Sequence, residues 1–177
     1  MASENSPIHY TFVSCWLGEI LVAAHENELC AVLIGDDRDQ LADDLQQRMG
    51  KIPCIADDNA MAKIRDTLAL WLDNPSKPLE LPLAPRGTPF QQQVWAALRE
   101  IPAGETIDYA ALAARIGKPT AARAVAAACA ANPLAIVTPC HRVVRRDGGL
   151  SGYRWGTWRK RALLEREAER SCAGLPV

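Results

Sequence analysis

Histidine is scarce in this chain, with three among 177 residues, and none of the six cysteines belongs to a CxxC pair. No cysteine stands near a histidine at zinc-finger spacing, so no metal is expected. Apolar runs long enough to span a bilayer are missing too, and no membrane association is expected. The first ten residues, MASENSPIHY, hold no basic stretch followed by an apolar one. Export is therefore not expected, and neither is a disulfide framework; the expected compartment is the cytoplasm. Most of the six, which are Cys15, Cys30, Cys54, Cys129, Cys140 and Cys172, read as small buried hydrophobes, and only Cys140 has a suggestive neighbourhood. With 49% hydrophobic and 23% charged residues, the composition excludes a disordered or collagen-like chain.

What is there divides in two. Residues 1–85 hold six basic and fourteen acidic side chains, a net of −8, whereas residues 86–177 hold fourteen and seven, a net of +7. Such a split fits an acidic front half and a back half that meets an anion, nucleic acid first among the candidates. Scattered surface charge that happens to segregate is the plainer alternative.

Three stretches rich in Val, Ile, Leu and Tyr, His9–Ser14, Gly18–His25 and Glu28–Gly35, are separated by turn-like breaks and predict an antiparallel meander. Helical periodicity follows over Arg38–Met49 and Asn59–Asp73, then a proline-spaced extended stretch, Leu79–Pro85. Thr88-Pro89-Phe90-Gln91 is a capping box with proline at the first helical position, and its helix should run to about Glu100. Asp108 caps a helix through Ile116 that Gly117 stops, and Thr120–Ala131 forms the next. Two helices joined by a short glycine-containing turn make a helix-turn-helix candidate. Eight of the twelve residues from Thr120 to Ala131 are alanine, which gives a smooth helix able to lie against a core or a DNA groove. Arg123, a long cation in its first turn, favours the groove.

Leu134–Val137 reads as a short strand leading into Thr138-Pro139-Cys140-His141-Arg142-Val143-Val144. A thiol beside an imidazole and a guanidinium is a setting that favours thiolate. Adjacent side chains diverge in regular structure, however, so a buried thiol next to a surface imidazole stays open from the dipeptide alone.

The full string is more specific than the dipeptide. Gly104-Glu-Thr-Ile-Asp-Tyr109, Arg123-Ala-Val125, Asn132-Pro133, Pro139-Cys-His-Arg-Val-Val144 and Gly152-Tyr153 occur in order. Together they resemble the O6-alkylguanine-DNA alkyltransferases, strongly over residues 86–170 and more weakly before them. The likeness extends to the C-terminal half of the bacterial adaptive-response methyltransferases, whose metal-binding domain has no counterpart here. The resemblance implies an α/β N-terminal domain over residues 1–85, ribonuclease-H-like, with a small antiparallel sheet plus helices. It implies an α-helical C-terminal domain over 86–177 that contains the helix-turn-helix.

For function, the resemblance implies a one-use repair protein acting without cofactor. Cys140 would take the alkyl group from guanine O6, and from thymine O4, in double-stranded DNA bound through the minor groove. His141 matches the family's base, acting through a water, and Glu167 the carboxylate that orients it; a solvated helix face is the alternative for Glu167. Tyr109 matches the donor toward guanine N3, though it also fits a core aromatic. Arg123 matches the side chain that fills the stack after the nucleotide is extruded, and Asn132 the residue that holds the turn beside the active-site loop. The Val143 carbonyl and the Arg154 amide fall where the family reads the guanine edge, beside Tyr153. Lys118, Thr120 and Arg146 are candidate DNA contacts. Trp155 stands where some members have a small residue, so an obstruction to large alkyl groups is expected there. The family's N-terminal zinc set is not matched by Cys15, Cys30, His9 and His25. A monomer is expected. Three rivals make distinct demands: a lesion-binding module without an acceptor, against which Cys140 counts, a Cys-His hydrolase with steady product release, and a transcription factor with a preferred sequence.

Overall fold

The computed structural model describes residues 6–150 and 152–173; residues 1–5, on which the export expectation partly rests, lie outside them. The chain forms two compact units: residues up to Arg86 together with Pro133–Ala135, and Gly87–Asn132 with the chain from Ile136 onward.

In the first unit, β1 (Ile8–Cys15), β2 (Gly18–His25) and β3 (Glu28–Gly35) form the antiparallel meander. The turn between β2 and β3 puts Glu26 at φ 49° and Asn27 at φ 70°. Two successive positive φ values give a turn whose twist matches that of the strands it joins. A short strand that the sequence pattern did not reveal, β4 (Cys54–Ala56), lies parallel to β1, so the order is β3-β2-β1-β4. Three residues are too few to show a period. β2 and β3 bury every residue from Ile20 to Ala24 and from Leu29 to Ile34, the mark of strands covered on both faces. Helix α1 (Arg38–Met49) is capped by the Asp37 carboxylate, which accepts from the amides of Asp39 and Gln40, and it buries Leu41, Leu45 and Met49. Helix α2 (Ala62–Asp73) buries Ile64, Leu68 and Leu72 and starts three residues later than the periodicity suggested.

The outer edge of β3 is occupied by irregular chain. Leu83, in the proline-spaced stretch, and Leu134 each form a single parallel bridge to it. The expected strand Leu134–Val137 therefore reduces to one bridged residue. Ile136, at φ 68°, turns the backbone away, and a left-handed residue cannot continue a strand.

In the second unit, α3 (Pro89–Arg99) has its capping box formed, with the Gln91 side chain and the Thr88 hydroxyl satisfying each other's backbone amides. Trp95 on α3 donates its indole N–H to the Ala128 carbonyl of α5 (Ala122–Ala130) at 2.8 Å. Helix α4 (Tyr109–Arg115) is capped by Asp108. A two-residue strand, β5 (Ile107–Asp108), pairs in parallel with β6 (Val143–Val144), and α6 (Thr157–Ala173) closes the unit. Among the described residues no helix is long and apolar enough to cross a membrane.

Candidate active site

The site grows from the end of α5. Asn132, fully buried, sends its amide to the Thr138 carbonyl at 2.8 Å and to Cys140 Sγ at 3.3 Å. Arg99 holds the Thr138 hydroxyl from the other side at 3.0 Å. A loop without regular structure is thus pinned at both groups of one residue just before Pro139. Cys140–Arg142 then forms a single 3₁₀ turn, and its tight pitch sends consecutive side chains in different directions.

Cys140 faces a small cavity of about 30 Å³, lined also by Tyr109, Cys129, Tyr153, Arg154 and Lys160. His141 turns into the interior. Its Nε2 lies 2.8 Å from Glu167 Oε1, and its Nδ1 is buried with no hydrogen-bond partner among the described residues. Arg142 grips the same carboxylate with Nε and Nη2, at 3.0 and 2.8 Å, and reaches the Ile101 carbonyl with Nη1. Lys160 is 1% exposed and donates to the Val143 carbonyl at 2.5 Å. Lys160, Leu163 and Glu167 lie on one side of α6, three and then four residues apart, all buried.

Of the alternatives that the dipeptide left open, the geometry favours the buried thiol, although the imidazole is buried with it. Burial pushes the Cys140 thiol up to about 11, and the Asn132 amide and the Lys160 ammonium only partly oppose it. The Arg142 guanidinium, next in sequence, is engaged with Glu167 instead. Burial would also raise the Glu167 carboxyl, but hydrogen bonds and charge from His141 and Arg142 outweigh it and hold it at about 2. Burial lowers the His141 imidazole despite that carboxylate. The resting site is therefore a neutral thiol beside a neutral imidazole. With Glu167 ionised, His141 donates from Nε2, which leaves the Nδ1 lone pair to take a proton.

The remaining candidates divide between cavity and surface. Tyr109, Tyr153 and Arg154 line the cavity. Val143 is buried with its carbonyl on Lys160. Trp155 is not among the lining residues; it is buried edge-on against Tyr153, with ring centroids 5.3 Å apart. Arg123, Lys118, Thr120 and Arg146 are exposed, and the Lys118 ammonium sits over the Phe90 ring at 5.0 Å. Lys160 and Arg142 were not singled out from the sequence. The periodic signal linking Lys160 to Glu167 was present but looks the same on a solvated helix. Among the described residues no three His, Cys, Asp or Glu side chains converge as a metal would require.

Comparison with known proteins matches residues 8–85 to the 6-O-methylguanine DNA methyltransferase ribonuclease-like domain and residues 89–169 to the DNA binding domain of the same family. The chain is 55% identical over 172 residues to the bifunctional transcriptional activator/DNA repair enzyme Ada of Escherichia coli, covering 94% of this chain and 47% of that protein. The chain thus spans about half the length of that relative, and likewise 47% of the regulatory protein ada of Salmonella typhimurium. It is 39% identical to the methylated-DNA–protein-cysteine methyltransferase of Mycobacterium tuberculosis over 96% of this chain and 98% of that one. The structure of Mycobacterium tuberculosis OGT in complex with DNA is similar with a TM-score of 0.75 at 36% identity, covering 92% of this chain and 94% of that chain.

Proposed function

The chain belongs to the 6-O-methylguanine DNA methyltransferase family, and from that premise we propose that it repairs DNA by direct reversal, as a methylated-DNA–protein-cysteine S-methyltransferase used once. The observation that carries the reading is the buried Cys140 thiol on a small cavity, followed in the same 3₁₀ turn by His141, whose Nδ1 has no partner among the described residues and whose Nε2 meets Glu167.

The substrate is O6-alkylguanine, and with it O4-alkylthymine, in double-stranded DNA. The reacting base leaves the stack, because its O6 carbon is out of reach inside the duplex. Cys140 Sγ attacks the alkyl carbon, the carbon–oxygen bond breaks, and the thiol proton passes to His141 Nδ1, directly or across one water. The electron pair leaves on the guanine, which Tyr109 protonates at N3. The product is a thioether. It has no carbonyl for water to attack, so the protein is not regenerated. Val143, Tyr153 and Arg154 border the base, Asn132 keeps the loop in place, and no cofactor takes part.

Helices α4 and α5 act as a helix-turn-helix entering the minor groove. Arg123, Ala127 and Ala130 are exposed along α5, a stripe of small side chains headed by one long cation. Arg123 fills the space that the extruded nucleotide vacates, and Lys118, Thr120 and Arg146 contact backbone phosphates. The protein works as a monomer on cytoplasmic DNA, with residues 1–85 supporting and 86–177 carrying the chemistry. Intact mass after mixing with an O6-methylguanine duplex tests the reading. One added methyl group on the Cys140 peptide is expected, whereas an unmodified protein that binds the duplex, or continuous product release, refutes it.

Two variants probe the parts. Arg123→Ala should slow repair of duplex DNA about tenfold or more, while the reaction with free O6-methylguanine, which leaves no hole to fill, stays near the wild-type rate. Equal slowing of both would move Arg123 out of the groove. Trp155→Gly removes the indole that fixes Tyr153. It should cost about 3–5 kcal/mol of stability and raise the reaction with O6-benzylguanine as Tyr153 gains room to swing back. Melting curves and benzyl-transfer rates check both halves, and loss of stability without the gain would show that the indole does not limit the pocket.

A further inference from the structure

Tyr153 carries a hydroxyl that the described residues leave unsatisfied. The side chain is 8% exposed, its oxygen is buried without a hydrogen-bond partner, and it lines the cavity at Cys140. A phenylalanine would fill the same space without leaving a polar atom dry, so the hydroxyl calls for an explanation beyond packing. Its ring is fixed by Trp155, edge-on at 73°.

The charged and titratable groups that face it are Cys140, Arg159 and Glu167, and Lys160, Arg154, Tyr109 and Cys129 share the cavity. Three of these are engaged elsewhere. Arg159 donates to the Trp155 carbonyl at 2.8 Å, Glu167 is held by His141 and Arg142, and Lys160 is on the Val143 carbonyl. A phenol pushed upward by burial stays protonated and is a donor at any ordinary pH. Among the described residues the sulfur of Cys140 receives one donor, the Asn132 amide at 3.3 Å.

We propose that the Tyr153 hydroxyl is a second hydrogen-bond donor to the Cys140 sulfur, engaged as the thiol gives up its proton. The inference rests on the reading of Cys140 as alkyl acceptor and adds a catalytic residue to it. The S–H bond breaks, an N–H bond forms at His141 Nδ1, and the sulfur keeps the electron pair. Tyr153 keeps its own proton and turns it toward the new charge. A donor that meets charge only after ionisation acts on the reactive form and not on the resting one.

Tyr153→Phe removes the hydroxyl and leaves the ring against Trp155. The rate at which iodoacetamide, without DNA, labels the Cys140 peptide is measured across pH by peptide mapping. The variant's profile should move to higher pH, with labelling about tenfold slower near pH 7. Methyl transfer from an O6-methylguanine duplex should slow by a similar factor, and the melting temperature should hold or rise. A labelling profile that superimposes on the wild type overturns the inference, even if the DNA reaction slows, since Tyr153 would then act on the base alone. Failure of the wild-type chain to take up methyl from DNA would instead strike the proposed function, because the iodoacetamide profile reads Tyr153 without any DNA.

Discussion

Cys140→Ala is expected to abolish alkyl transfer while leaving affinity for duplex DNA within about a factor of two of wild type. In the proposed reaction the Cys140 sulfur is the bond-forming atom, and alanine offers none. The loop should survive the change, because the Asn132 amide still holds the Thr138 carbonyl at 2.8 Å and Arg99 still holds its hydroxyl. On the proposed reading, binding draws on phosphate contacts of the basic half, and it should then weaken steeply with salt in both proteins. Intact mass and peptide mapping read the transfer, and fluorescence anisotropy at two salt concentrations reads the binding. Cys129 is the sharpest internal control, since it lines the same cavity. Burial holds its thiol up at about 12, above the Cys140 thiol at about 11. Methyl found on Cys129, or more than one methyl transferred per molecule, would refute the mechanism.

The second large effect falls on stability. Glu167→Ala leaves the Arg142 guanidinium buried without its carboxylate, and the expected loss is about 3–5 kcal/mol, the range for breaking one side of a buried pair. The double variant Glu167→Leu with Arg142→Leu should recover part of that loss, because no charge remains uncompensated. Acid should reproduce the effect in the wild type. The Glu167 carboxyl is held at about 2, below its ordinary 4.5, so its stabilisation is complete above about 4.5 and is lost as the pH falls toward 2. Denaturant melts across that window, on wild type and Glu167→Gln, provide the check. The variant should have a shallower dependence on pH, and identical slopes would remove Glu167 as the source.

The three-stranded meander and the longer helices were legible from the residues alone, because each is encoded within a few positions, whereas β4 and the end of the Leu134–Val137 stretch were not. The Thr88–Gln91 capping box, the Asp108 cap and the Glu26–Asn27 turn rest on the preferences of one or two side chains, and the Arg38–Met49 helix needs only the helical period. The PCHRVV string likewise marked Cys140 as the residue to watch. Tertiary structure decided everything that depends on direction or on distant partners. Whether His141 and Arg142 serve the thiol or turn away is set by one 3₁₀ turn and by Glu167, which lies 26 and 25 residues further along the chain. Their position beside Cys140 left open a thiolate or a buried thiol, and burial holds the thiol and the imidazole neutral. Lys160 looks like any charged residue of α6 until the helix docks and carries its ammonium to the Val143 carbonyl. Trp155 stands next to the pocket in sequence and one ring behind it in space. Sequence neighbours share a backbone, but only packing fixes where their side chains go.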